Sequence, residues 1–410
     1  MRRTMRRSAL AAAFAMFTLA AAGAAEKGHS DFEIVRGPYL VADVETGQVI
    51  AEFDALRPWY PASTTKLMTI YTTFQAIRAG EISLNDEVKY SGNAAAQPPS
   101  KMGFKPGSTF TLDNALKMMM VKSANDIAVA VAEAVGGSVD GFAARMNAAA
   151  AELGMTRSHF VNPHGLPDER QVTSARDMAL VARALLRHFP EHRPYYSIHA
   201  IQIGGKILRN YNRLLDRFPG ATGMKTGFIC ASGYNLVASA ERDGREIVAI
   251  VFGEYGGKLR NEHAAALLEA AFDTPLRRVE TETTLFNLKS GEEYNQPLDL
   301  RPYVCGAQRG AAVAALRGED DDEGEVAVSH LTARMNLGPP IKVRAYIPAD
   351  YGEPGFVARL PRPRPGADGG RPDVLDAFAP INGTSASGPA EAIGAAAGQP
   401  RPLEEVGPEQ

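Results

Sequence analysis

Short apolar runs alternate with polar positions from the start of the folded part of the chain. Residues 38–53, PYLVADVETGQVIAEF, place two β-rich runs around Glu45-Thr46-Gly47, which predicts a hairpin. From Ser63 the pattern changes. STTKLMTIYTTFQAIRAG carries its apolar residues at spacings of three and four, which predicts a helix that stops at Gly80. Residues 86–111 are mixed, with turns marked by Pro98-Pro99 and Pro106-Gly107. The next stretch, LDNALKMMMVKSANDIAVAVAEAVGG from Leu112, is helical in period with a break near Ser123. Its methionines, Met118 to Met120, read as core filler. Ser174 is a candidate N-cap for SARDMALVARALLRHF, with Asp177 at the third helical position in place of the usual glutamate. Residues 222–252 read as three strands, the last two joined at Asp243-Gly244, and a further helix is predicted from His263.

The two ends of the chain have another character. Residues 1–25 combine Arg2, Arg3, Arg6 and Arg7 with a short apolar run and a small-residue cleavage site around residues 22–25. That is the pattern of a secretory signal peptide, too short for a spanning helix. Beyond about residue 276 the chain turns acidic, with Glu319 to Glu323 as a solvated run, and then rich in Pro, Ala and Gly. Residues 277–355 are expected to be partly ordered, with KVRAYI at 342–347 as a small β element. Residues 356–410 are expected to be disordered, because they cannot bury enough apolar surface. The body between, 30–276, is the expected catalytic domain. No obvious membrane anchor is read from the C-terminal part.

Charge and cysteine content narrow the partners. The formal net charge is −3, and loss of the four N-terminal arginines takes it to −7, so bulk charge calls for no nucleic acid. Cys230 and Cys305 fit either a disulfide in an oxidising compartment or two small buried thiols. The eight histidines show no metal-ligand spacing, so no metal or other cofactor is expected.

Three short motifs carry chemistry. Ser63 and Lys66 sit three apart, on one helical face; a serine hydroxyl needs a nearby base, and a lysine serves when burial or cations depress its pKa. Alone this spacing is weak, since a chain of this length supplies about one by chance, and taken by itself it favours an N-cap serine with a surface lysine. Lys225-Thr226-Gly227 opens a predicted strand and is rarer. There a lysine charge, a threonine donor and a glycine without a side chain suit a bound carboxylate. An S-x-N motif occurs twice, at Ser91-Gly92-Asn93 and at Ser123-Ala124-Asn125. The second lies at a junction of two helices, which holds a catalytic pair more rigidly than a proline-flanked loop, so Ser91 is taken as the decoy.

In chain order, S-x-x-K, S-x-N and K-T-G form a set far more specific than any member. With FKPG at 104–107, HGL at 164–166, SARDMAL at 174–180 and SGYNLVASA at 232–240, residues 33–272 resemble a low-molecular-mass penicillin-binding protein, a serine-type D-alanyl-D-alanine carboxypeptidase. The resemblance implies an α/β fold of the α+β kind: an antiparallel sheet flanked by helices plus a helical subdomain, with the active site between them. It implies that Ser63 attacks the carbonyl between the last two D-alanines of a peptidoglycan stem peptide, Lys66 takes its proton and Ser123 relays a proton to the leaving amine. Asn125 would hold the substrate amide, and Lys225 and Thr226 the terminal carboxylate. Gly227 gives backbone access, and the N–H groups of Ser63 and Phe228 would form the oxyanion hole. β-Lactams would trap Ser63. Arg260 falls where the family often has a carboxylate-side arginine, although by its own pattern it reads equally as a surface charge. Tyr211 stands where some relatives carry a second basic residue, and a disulfide from Cys230 would pin the later segment beside the active strand.

Other readings share part of this set. Glu81-Ile82-Ser83-Leu84-Asn85 matches the E-x-x-L-N of class A β-lactamases but precedes the S-x-N motif instead of following it. A DD-endopeptidase acting on crosslinks uses the same residues. A catalytically silent penicillin-binding wall protein would keep the fold without the turnover. Export points to the periplasm.

Overall fold

A computed structural model describes residues 37–276, 283–289, 296–312 and 329–347. The expected signal peptide, the acidic run at 319–323 and the tail at 356–410 lie outside the described residues.

The elements follow in this order. β1 (Tyr39–Asp43) and β2 (Val49–Phe53) are followed by a 3-10 turn (Ala62–Thr65) and α1 (Lys66–Arg78). Then come β3 (Glu87–Lys89), α2 (Gly92–Ala96), β4 (Thr109–Thr111), α3 (Leu112–Lys122), α4 (Asn125–Gly136) and α5 (Val139–Glu152). α6 (Ala175–His188) and a second 3-10 turn (Pro190–Tyr195) precede β5 (Ala200–Ile203), β6 (Lys206–Arg209), β7 (Ala221–Ile229), β8 (Gly233–Arg242) and β9 (Arg245–Glu254). α7 (Gly257–Asp273), α8 (Arg301–Val304) and β10 (Ile341–Lys342) complete the set.

The main sheet has the order β2-β1-β9-β8-β7, all antiparallel. Its strands feed two cores because successive side chains point to opposite faces. Leu40, Ala42, Val248 and Ile250 face the helical layers, while Val41, Ile247, Ala249 and Val251 face α7 through Ala264, Ala265 and Leu268. The first hairpin turns as expected: Asp43 Oδ1 accepts from Thr46 N and Oγ1, both at 2.8 Å, and Gly47 takes a φ of +74°. β7 is an edge strand, so its outer side is free to pair with an extended peptide.

α1 runs through the middle of the helical part and is buried nearly all round, from Lys66 to Phe74. The helical break read at Ser123 is real: α3 ends at Lys122, Ser123 adopts a left-handed φ of 60°, and α4 restarts at Asn125. Met118, Met119 and Met120 are all buried. Ser174 caps α6, its Oγ accepting from Asp177 N at 3.1 Å. Asp177, one methylene short of the usual glutamate, instead accepts from Arg157 N and Ser158 Oγ.

One expectation needs correction. The helix predicted from His263 begins six residues earlier, at Gly257, because Gly256 supplies an extended N-cap. Described parts of the 277–355 extension belong to the main core: Leu285, Leu300, Val304, Ala312, Val343 and Ala345 are buried in the same cluster as Leu40 and Phe74. Lys342, the first residue of the KVRAYI stretch, closes β10, which pairs in parallel with β5. Among the described residues no single helix is long and apolar enough to cross a membrane.

Candidate active site

The turn that carries Ser63 is held open against its own preference. Ala62 sits at a φ of +48°, a region that costs a non-glycine residue about 1 kcal/mol or more. Several contacts hold it there. Asn235, fully buried on β8, donates from Nδ2 to Tyr60 O (3.0 Å) and Pro61 O (3.2 Å), and its Oδ1 accepts from Gly253 N (3.1 Å). Trp59 Nε1 donates to Ser232 O (3.1 Å), which ties the turn to the β7–β8 connection. Behind it Gly165, at φ +83°, backs so closely that a Cβ would stand 1.8 Å from Ala62 O. Ser63 and Lys66 were expected on an α-helical face. The 3-10 turn suits them better, because with three residues per turn positions i and i+3 eclipse.

Lys66 is fully buried with three partners. Its Nζ lies 2.8 Å from Asn125 Oδ1, 2.8 Å from His164 O and 3.1 Å from Ser63 Oγ. Burial, and then the charge of Lys225, holds its pKa well below the ordinary lysine value; Asp126 pulls weakly the other way. A neutral amine has two N–H groups and one lone pair. The two carbonyl oxygens take the N–H groups, and the lone pair is left for the hydroxyl of Ser63.

Lys225 enters from the edge strand β7, also buried. Its Nζ donates to Ser123 Oγ and to Thr226 O, both at 2.9 Å, and keeps a third donor. Burial, followed by the charge of Arg260, brings its pKa down to about 7. Arg260 is itself buried, so its reading as a surface charge is overturned. Its guanidinium donates to Asn261 Oδ1 (3.1 Å) and Tyr211 O (3.4 Å), and burial lowers its pKa to about 10. Tyr211 is exposed, and its hydroxyl accepts from Lys122 Nζ at 3.1 Å.

Gly227 shows why K-T-G ends in glycine. A Cβ there would lie 2.9 Å from Pro61 O and 3.1 Å from the backbone nitrogens of Ser63 and Thr64. The strand therefore passes directly against the Ser63 turn, and buried Thr226 precedes Gly227. Phe228 is half exposed and leans on Tyr234 with ring centroids 4.3 Å apart. Cys230, one residue past β7, is disulfide-bonded to Cys305, with Cα atoms 5.6 Å apart.

The other S-x-N lies elsewhere. Ser91 caps α2, its Oγ accepting from Ala94 N at 2.9 Å, and Asn93 bonds to Glu133. Glu81 is spent in a two-pronged ion pair with Arg145. Sequence reasoning gave no role to three residues that organise the site. Asp126 is fully buried and accepts from Met102 N, Gly103 N and Tyr90 Oη, fixing the 100–104 loop. Asn235 and Trp59 hold the Ser63 turn. Their signal was one of type: a buried Asp directly after S-x-N and an Asn inside an apolar strand both need partners. His164 also contributes through its carbonyl. Its ring is kept neutral, with a pKa near 3, by burial and Lys66, and Nδ1 accepts from Leu166 N at 3.1 Å.

Comparison with known proteins identifies the family. The sequence profile of the peptidase S11 family, D-alanyl-D-alanine carboxypeptidase, matches residues 24–256. The chain is 35% identical to D-alanyl-D-alanine carboxypeptidase DacF of Bacillus subtilis over 57% of its own length and 61% of the relative's. It is 36% identical to DacC of Escherichia coli over 57% and 60%. The chain thus spans about three-fifths of the length of these curated relatives. Among solved structures, carboxypeptidase DacD of Francisella tularensis superposes with a TM-score of 0.56 at 31% identity, over 60% of this chain and 74% of that one. The ampicillin-bound penicillin-binding protein D2 of Listeria monocytogenes gives 0.51 at 28%, over 58% and 97%. By its profile, its sheet order and its three motifs, the chain belongs to the D-alanyl-D-alanine carboxypeptidase family, peptidase S11.

Proposed function

We propose that the protein is a serine-type D-alanyl-D-alanine carboxypeptidase that removes the terminal D-alanine from peptidoglycan stem pentapeptides. The observation that carries this is the surroundings of Lys66 Nζ: two carbonyl acceptors at 2.8 Å, the serine hydroxyl at 3.1 Å and full burial. That is the environment of a neutral base beside its nucleophile.

In the proposed cycle Ser63 Oγ attacks the carbonyl between the last two D-alanines and its proton passes to Lys66 Nζ. The oxyanion is met by the N–H groups of Ser63 and Phe228, a reading supported by the close approach of Gly227 to the Ser63 turn. Asn125 holds the substrate amide through its Nδ2 side. Lys225, Thr226 and the charge of Arg260 hold the terminal carboxylate. Ser123, bonded to Lys225, relays a proton to the departing amine. D-Alanine leaves, and water hydrolyses the acyl-enzyme to free Ser63. A β-lactam presents the same carbonyl and carboxylate and would acylate Ser63. The expected signal peptide and the Cys230–Cys305 disulfide both support export to the periplasm, an oxidising compartment.

The test is release of D-alanine from a pentapeptide and from a crosslinked dimer, with labelling by a fluorescent penicillin. Native protein should release D-alanine from the pentapeptide and take the label; Ser63→Ala should do neither. Cleavage of the crosslink in preference to the pentapeptide would move the assignment to a DD-endopeptidase. Labelling without any turnover would leave a silent penicillin-binding protein.

A further inference from the structure

A cavity of about 350 Å³ opens beside the Ser123 corner, between the 100–104 loop, the end of α3, the β5–β6 hairpin and residues 345–347. Its floor is apolar, with Met102, Phe104 and Leu208. Its rim carries three ammonium groups, Lys101, Lys122 and Lys206. No carboxylate lines it, and among the described residues none of the three lysines is in an ion pair. Lys122 Nζ donates to Tyr211 Oη at 3.1 Å and Lys101 Nζ to Ala95 O at 3.3 Å, so both keep N–H groups to spare. Three like charges around one opening repel each other, and they do so in a chain of net charge −3.

Solvated lysines scattered over a surface would need no explanation. These are joined to the catalytic groups. Ser100 Oγ donates to Lys122 O at 2.8 Å, and Ser100 O accepts from Asn125 N at 2.7 Å. Asn125 Oδ1 in turn takes an N–H of Lys66. Met102 N and Gly103 N are fixed by the carboxylate of Asp126. Lys122 in the wall of the cavity is therefore two hydrogen bonds, through Ser100, from the asparagine that faces the base. A larger cavity of about 520 Å³ near Tyr60 mixes Arg157 and His159 with Glu169, so neither sign dominates there.

Resting on the carboxypeptidase reading, we propose that the lysine-rimmed cavity binds the stem peptide upstream of the scissile bond and recognises a free carboxylate on that arm. Three residues of extended peptide reach about 10 Å. Counted back from the acylated carbonyl, the third residue is a γ-linked D-glutamate, whose α-carboxyl is either free or amidated. The aliphatic parts of the arm suit the apolar floor, and the carboxylate suits the rim.

Two pentapeptides test this, L-Ala-γ-D-Glu-(Nε-acetyl-Lys)-D-Ala-D-Ala and its D-glutamate α-amide, which differ by one charge. A tripeptide, diacetyl-L-Lys-D-Ala-D-Ala, reports the activity without the glutamate. Native protein should favour the free acid by about tenfold in kcat/KM, chiefly through KM. The preference should shrink at about 0.5 M salt. The double variant Lys101→Gln/Lys206→Gln should bring the ratio to below about twofold, whereas Lys101→Arg/Lys206→Arg should keep it. Equal kcat/KM for the two pentapeptides in native protein that cleaves the tripeptide overturns the pocket and leaves the carboxypeptidase standing. An unchanged ratio in the glutamine variant, melting like native protein, overturns it as well. No D-alanine from any of the three peptides overturns the carboxypeptidase and the pocket together.

Discussion

Arg260 should set the pH at which the protein loses its substrate. The guanidinium is buried and among the described residues has no carboxylate partner, only Asn261 Oδ1 and Tyr211 O. Its charge, which Glu254 offsets only through space, is the second cause, after burial, that brings Lys225 down to about 7 from 10.5. In the proposed cycle the ammonium form of Lys225 holds the substrate carboxylate. kcat/KM, which reports the free enzyme, should therefore fall as pH rises through about 7. Its acidic limb should rise as Lys66 loses its proton. In Arg260→Gln one repulsive charge is gone, so Lys225 keeps its proton to higher pH. A neighbouring charge at an effective dielectric of about 20 is worth about 1–2 kcal/mol, or about one pKa unit. The alkaline limb should move up by that amount, and the plateau should drop about tenfold because the carboxylate loses part of its field. The assay is D-alanine release from a short peptide across pH, with the Lys225 ε-methylene titrated by NMR in parallel. An alkaline limb that stays in place, or moves to lower pH, would falsify the reasoning.

Burial of Lys225 has a cost in stability. Its folded pKa lies below its unfolded one, so the unfolded chain holds more protons between about 7 and 10.5, and native stability rises with pH across that window. Lys225→Met should accordingly melt higher than native protein at pH 6, with a smaller gap at pH 10, while losing turnover. Gly165→Ala places a Cβ 1.8 Å from Ala62 O at a φ of +83°, and should cost about 3 kcal/mol or more by urea unfolding, along with penicillin labelling. The disulfide closes a separation of 75 residues, for which the chain-entropy estimate is about 4.5 kcal/mol. Cys230→Ala/Cys305→Ala should lose up to that amount, and native protein in reductant should unfold at the same denaturant concentration as the variant.

The strands and helices were legible where one periodicity ruled. The β7–β8–β9 run and the α3–α4 break could be placed from apolar spacing and from the polar Ser-Ala-Asn that interrupts it. The proposed nucleophile was legible only through its company, because S-x-x-K spacing is common and K-T-G is not. What stayed hidden depends on long-range approach. Nothing local says that Gly165 packs under Ala62 or that Asn235 reaches across from β8 to Pro61. Arg260 looked like either a surface or a site residue because a helix face has no preferred side until its neighbours are known. The fate of residues 283–347 was obscured for a related reason. Leu285, Leu300 and Val343 lie in short, weakly patterned apolar stretches, and they are buried in the core cluster they share with Leu40 and Phe74.

The site solves an electrostatic problem by choosing amides and carbonyls where carboxylates would be stronger partners. Lys66 can act as a base only if it is neutral, and a carboxylate at 2.8 Å would keep it charged. Position 125 is an asparagine, whose Oδ1 accepts a hydrogen bond without adding charge. The one acid nearby, Asp126, is turned away and saturated by Met102 N, Gly103 N, Ile127 N and Tyr90 Oη. It therefore raises the pKa of Lys66 less than burial and Lys225 lower it. Arg260 and Lys225 then act in series. The first depresses the proton affinity of the second, and the second that of Lys66, so positive charge accumulates toward the place where a substrate carboxylate would bind. Arrival of that carboxylate would raise the pKa of Lys225 and lock its ammonium in place. The alkaline limb of kcat should therefore lie above that of kcat/KM.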